Sequence, residues 1–83
     1  MLELYQLEDC PFCVRVREAL AELGLDYIIR NEPSSHRERT RVKTLSGQTF
    51  VPTLHDPERG VVIADDDDKI IAYLHEHYGR RVV

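Results

Sequence analysis

Cys10-Pro11-Phe12-Cys13 lies between a short apolar run, Leu2 to Leu7, and an amphipathic one, Val14 to Leu23. The first run reads as a strand, with Leu2, Leu4 and Gln6 on one side and Glu3, Tyr5 and Leu7 on the other. In the second, Val16, Ala19, Leu20 and Leu23 share one helical face, and Gly24 is a natural stop. Pro11 suits a first helical turn, where its missing N–H costs nothing. Both cysteines of the chain therefore sit where a strand hands over to a helix. Unpaired N–H groups and the positive end of the helix dipole favour a thiolate there. Only the thiolate attacks a disulfide. The spacing points to thiol–disulfide chemistry.

The rest of the chain tests that reading. Eighty-three residues predict one domain, 1–83, with one modest core. The longest apolar runs are a few residues, too short to span a membrane. The N-terminus lacks a basic stretch followed by a long apolar one, so no signal peptide is read. Two cysteines three apart do not make the disulfide framework of a secreted protein. These features predict a monomer in the cytoplasm. The net charge of −4 argues against nucleic acid, which wants a basic face. Acidity is concentrated in Asp65-Asp66-Asp67-Asp68, a balance that suits a salt-rich cytoplasm.

Beyond Gly24, Leu25 to Arg30 reads as a second strand. Ser35-His36-Arg37-Glu38 has the form of a capping box opening a polar helix to about Leu45. Phe50 to His55 reads as a third strand, Asp56 to Gly60 as a turn, and Val61 to Ile63 as a fourth strand paired antiparallel to the third. Asp65 or Asp66 caps a last helix with Ile70, Ile71, Leu74 and Tyr78 at helical spacing, ended by Gly79. The order is β-α-β-α-β-β-α. A strand–helix–strand start requires a parallel pair with a right-handed crossover. The fold class is α/β, a mixed four-stranded sheet with helices on both faces.

Cys-Pro-aromatic-Cys after the first strand, Val51-Pro52 about forty residues on, and Asp-Asp opening the last helix together resemble the glutaredoxin branch of the thioredoxin fold. The C-terminal stretch through Ile70-Ile71-Ala72-Tyr73-Leu74 is also similar to the N-terminal domain of glutathione transferases. The resemblance covers essentially the whole chain. It implies an oxidoreductase with Cys10 as nucleophile and Cys13 as resolving thiol, with Pro11 and Phe12 beside them. It implies that Pro52 is a cis-proline and that the Val51 peptide pairs with the backbone of a glutathione-like ligand. Asp65 and Asp66 would meet the ligand's γ-glutamyl end, and Arg39 its glycine carboxylate. No tightly bound cofactor is implied; the co-substrate is glutathione or γ-glutamylcysteine, and the partners are disulfide-bearing or thiolated proteins.

Three positions depart from the pattern. Leu7 stands where the family usually has lysine, Val62-Ile63 where it has Gly-Gly, and Phe50 where it has threonine. The first removes a charge that would bind the ligand. A thiol without the glycine end, γ-glutamylcysteine, would lose less from a weakened carboxylate site.

Other readings of the same residues exist. A zinc site would take Cys10 and Cys13 with ligands from His36, His55, His75 and His77, but His75 and His77, two apart on a helix, point in different directions and make poor joint ligands. An iron–sulfur cluster bridged between subunits is known in the family and disfavoured by the second cysteine. The competing functions are a non-catalytic transferase-like thiol-binding module and a thioredoxin-like reductant that uses no small thiol. The intact Cys-x-x-Cys favours catalysis.

Overall fold

The computed structural model describes residues 1–79. Strand β1 (Leu2–Gln6) leads into helix α1 (Pro11–Glu22), and strand β2 (Tyr27–Asn31) follows. A 3-10 turn (His36–Glu38) precedes helix α2 (Thr40–Ser46); strands β3 (Thr53–Asp56) and β4 (Val61–Ala64) and helix α3 (Asp67–Tyr78) complete the order.

The sheet runs β2-β1-β3-β4. β1 and β2 are parallel; β1 with β3, and β3 with β4, are antiparallel. Leu4 pairs with Leu54, and Leu54 with Ile63, so one face of the sheet carries a continuous apolar row. Val16 and Leu20 of α1 and Ile70 and Leu74 of α3 close over that row, and all four are fully buried. Burial of such side chains supplies most of the folding drive, about 1.5–3 kcal/mol each. The opposite face carries Tyr5 and Thr53, and α2 lies over it, with the Arg41 guanidinium 5.9 Å from the Tyr5 ring centroid.

Helix α1 ends as its sequence dictates. Gly24 takes φ +68, its N–H bonds the Ala21 carbonyl, and the Leu25 N–H bonds that of Leu20. That paired closure satisfies carbonyls left over by the last turn.

The second helix departs from its expected form. Ser35 makes no side-chain cap, and the four residues of the capping-box pattern form a 3-10 turn instead. The helix begins at Thr40, because Arg39 has φ −83 and ψ 63, outside helical geometry. Tertiary bonds from the Arg39 side chain outweigh the local signal, as described below. The third strand starts at Thr53 rather than Phe50, since Pro52 has no N–H to give the ladder; the Val51-Pro52 peptide is cis. Asp56 is not a turn residue: it is the last residue of β3 and is buried.

Candidate thiol site

In register across the sheet, Tyr5 of β1 faces Thr53 of β3, which faces Ala64 of β4. The segments that leave β1, enter β3 and leave β4 therefore emerge at one end of the sheet. These are the segments that carry Cys10, Val51-Pro52 and Asp65-Asp66. The fold brings these sequence-predicted residues to one edge, and the N-termini of α1 and α3 lie there as well.

Cys10 is the N-cap residue of α1, with extended backbone (φ −74, ψ 122), and its carbonyl accepts the first helical bond from Val14, 2.9 Å. Its side chain makes no capping bond. Pro11 is the first helical residue and Phe12, one position on, is 57% exposed. Cys10 is partly exposed, whereas Cys13 is fully buried, and both are free thiols. Burial pushes the Cys13 thiol up to about 12; a backbone bond from Leu7 pulls it down, the neighbouring Cys10 sulfur raises it further, and Arg17 lowers it. Cys13 is thus a proton-bearing thiol at neutral pH.

The turn before the cysteines is held by Arg17. Its guanidinium donates to the Gln6 side-chain oxygen, to the Leu7 carbonyl at 3.4 Å and to the Glu8 carbonyl at 2.8 Å. Gln6 is itself fully buried and donates to Asn31 Oδ1 at 2.7 Å. One side chain of α1 thereby ties the ends of β1 and β2 to the helix that carries both thiols. The sequence signal for it was the four-residue step from Cys13, which puts Arg17 on the same helical face.

Across the site, Pro52 is buried and its carbonyl accepts the Asp65 N–H at 2.9 Å. Among the described residues, the Val51 N–H and C=O take no hydrogen-bond partner. Asp65 has φ +55, a left-handed conformation that aspartate tolerates better than most residues. Asp66, not Asp65, is the cap of α3, its Oδ1 accepting the Lys69 N–H at 3.0 Å. Asp67 and Asp68 both receive Arg15 of α1, Asp68 at 2.8 Å, so the two helix starts are bridged.

The resemblance puts Arg39 at a ligand carboxylate. In the structure it is 4% exposed and donates to three carbonyls: Pro33 at 2.7 Å, Ser34 at 2.9 Å and Thr49 at 3.0 Å. It gathers the loop before α2 and the segment that approaches Val51. Arg39 also underlies an open groove of about 550 Å³, lined with Arg37, Lys43, His36 and three threonine hydroxyls. No acidic side chain lines it. At its rim, His36 meets the half-exposed Phe50 ring edge-on, with centroids 4.9 Å apart. Thr49, two residues before Val51, also lines the groove.

Among the described residues, no three His, Cys, Asp or Glu side chains converge as metal ligands. No described helix is long and apolar enough to cross a membrane.

Residues 4–81 match the family described as "Glutathione S-transferase, N-terminal domain". Among solved structures, the chain is similar to glutathione transferase E6 from Drosophila melanogaster, with 34% identity and a TM-score of 0.83 over 98% of this chain and 36% of that one. A glutathione transferase homologue from Drosophila mojavensis, solved with bound glutathione, is 30% identical with a TM-score of 0.83 over 95% of this chain and 36% of that one. The chain therefore spans well under half the length of these transferases. A glutaredoxin-like 8.6 kDa protein from the rubredoxin operon of Clostridium pasteurianum is 29% identical over 55 residues, 66% of this chain and 73% of that protein. The thioredoxin-like sheet, its helix order and the match over residues 4–81 agree, and the chain belongs to the glutathione S-transferase N-terminal domain family.

Proposed function

We propose that the protein is a glutaredoxin-like thiol–disulfide oxidoreductase that uses glutathione as its small thiol. One observation carries this reading: a partly exposed thiol caps α1 at Cys10, and a buried, proton-bearing thiol follows at Cys13. A module that only bound thiols would have no use for that division.

In the proposed reaction the Cys10 thiolate attacks the mixed disulfide between glutathione and a target protein. A bond forms between Cys10 and the glutathione sulfur; the target's sulfur leaves with the electron pair and takes a proton. A second glutathione, or Cys13, then displaces the first from Cys10. The target is reduced, and the electrons come from the small thiol.

The site supports a tripeptide ligand laid along the Val51 peptide, whose N–H and C=O are free to pair with it. Asp65 and Asp66, at the start of α3, are assigned to its γ-glutamyl ammonium and carboxylate end. The basic groove beside Val51 is assigned to the far carboxylate, with Arg37 and Lys43 at its surface and Arg39 shaping it from beneath. This charge favours glutathione over γ-glutamylcysteine, which has no residue to place there. The bound glutathione in the Drosophila mojavensis homologue supports the assignment of ligand class. The reading places the protein in the cytoplasm, where free cysteines persist.

The test is turnover of a glutathione mixed disulfide by the wild type, Cys10→Ser and Cys13→Ser. The reading requires that Cys10→Ser abolish turnover and that Cys13→Ser retain a one-thiol activity. Undiminished turnover by Cys10→Ser would refute it.

A further inference from the structure

We propose that Arg17 is a positioning residue for the resolving step, presenting Cys13 for attack on the Cys10 sulfur of a Cys10–glutathione disulfide through the turn it clamps. The inference rests on the oxidoreductase reading above and adds a residue to it.

The Arg17 side chain is only 19% exposed, and its donors go to Gln6 Oε1, Leu7 O and Glu8 O. Three acceptors come from three consecutive residues, so the guanidinium reads one backbone path from β1 to the thiols. Its carboxylate neighbour, Glu8, is 3.7 Å away and 81% exposed, so it neutralises little of the charge. A planar fork held this way has fixed geometry that an ammonium would not reproduce.

Cys13 lies one helical turn before Arg17 and is fully buried. The Leu7 carbonyl that Arg17 holds also accepts the Cys10 N–H at 3.4 Å, and the Leu7 backbone lowers the Cys13 thiol pKa. The charged groups acting on this thiol are Cys10 and Arg17, with Glu8 paired to the latter. The Leu7 backbone opposes the burial penalty there most, and Arg17 adds a smaller lowering of the same sign.

That placement matters in only one step. When glutathione is bonded to Cys10, the Cys13 S–H loses its proton to solvent. Its sulfur attacks the Cys10 sulfur, the Cys10–Cys13 bond forms, and the Cys10–glutathione bond breaks. Glutathione leaves with the electron pair and takes up a proton. Attack by a second glutathione from solvent does not involve Cys13 and does not draw on Arg17.

The experiment uses full-length protein loaded at Cys10 with glutathione, and follows release of glutathione as the internal disulfide closes. Arg17→Gln is expected to slow release about tenfold, because the turn that aims Cys13 at the Cys10 sulfur is no longer clamped, and to move the pH–rate profile to higher pH. Arg17→Lys is expected to restore the profile while recovering the rate only in part. The effect of Arg17→Gln on turnover should be about tenfold larger with Cys13 present than in Cys13→Ser. Equal effects in the two backgrounds, or an unmoved pH profile, would reduce Arg17 to a support of the fold and overturn the inference while leaving the enzyme reading intact. Failure of the loaded wild type to release glutathione, together with no turnover, would overturn both.

Discussion

The Tyr73 hydroxyl donates to the Asp56 carboxylate at 2.7 Å, and Tyr78 donates to the same oxygen. Asp56 is 1% exposed, so a buried charge at the end of β3 is satisfied by two phenols from the far half of α3. Removing one leaves the carboxylate short of a donor. Tyr73→Phe is expected to destabilise the protein by about 1–3 kcal/mol, read by urea unfolding, with turnover per folded molecule unchanged.

The same cluster sets the acid limit of the fold. Burial raises the Asp56 carboxyl, but bonds from Tyr78 and Tyr73, then Arg59, outweigh it and hold the group below the usual carboxylate range. A depressed folded pKa gives stability that is present above the unfolded value, about 3.9. That stability is lost as pH falls through the folded pKa. Thermal melts from pH 6 downward should show a steeper loss in wild type than in Asp56→Asn, measured as slopes of Tm against pH.

The alkaline limit comes from Cys13. Its folded pKa, about 12, lies above the unfolded value, so it stabilises the fold fully below about pH 8.5. The contribution disappears as pH rises from there through the folded pKa. Burial raises the Tyr73 and Tyr78 hydroxyls in the same direction, reinforced by Asp56. Unfolding free energy should fall less steeply between pH 9 and 11 in Cys13→Ala than in the reduced wild type.

Charge reversal in the basic groove should act on ligand affinity rather than on chemistry. Arg37→Glu with Lys43→Glu is expected to raise the KM for glutathione at least about thirtyfold with kcat little changed, since each lost surface charge near a ligand carboxylate contributes about 1 kcal/mol and the introduced carboxylates repel it. High salt should erase the difference. γ-Glutamylcysteine, which does not reach the groove, should be affected less.

Arg15 links α1 to the first turn of α3 through Asp67 and Asp68. Exposed pairs add little to global stability. Arg15→Ala should therefore leave the melting temperature nearly unchanged while the amides of Lys69 and Ile70 exchange severalfold faster, as seen by NMR.

The order of elements along the chain and the core were legible because alternation in Leu2 to Gln6 and the helical spacing of Val16, Leu20, Ile70 and Leu74 leave few alternatives. The thiols were legible because two cysteines at a strand–helix junction carry a chemical reason. What stayed hidden was long-range polar pairing. Asp56 sits in a stretch rich in turn formers, and its partners lie 17 and 22 residues on. The capping-box pattern at Ser35 was overruled by Arg39, whose bonds to three carbonyls depend on a loop shape that no local window contains. Nothing local to Asp67 and Asp68 points to Arg15, which lies 52 and 53 residues away along the chain.

The two ends of β3 hold different responsibilities. Thr53 follows the cis-proline at the thiol end, and Asp56 closes the anchoring cluster at the other, about 10 Å away along the strand. Substitutions that strengthen the Asp56 end do not touch Cys10 or Cys13, so thermal tolerance can drift without a cost at the thiol end. Stability gained there offsets mutations that reshape the ligand end, and this separation makes the domain a permissive scaffold for new thiol specificities.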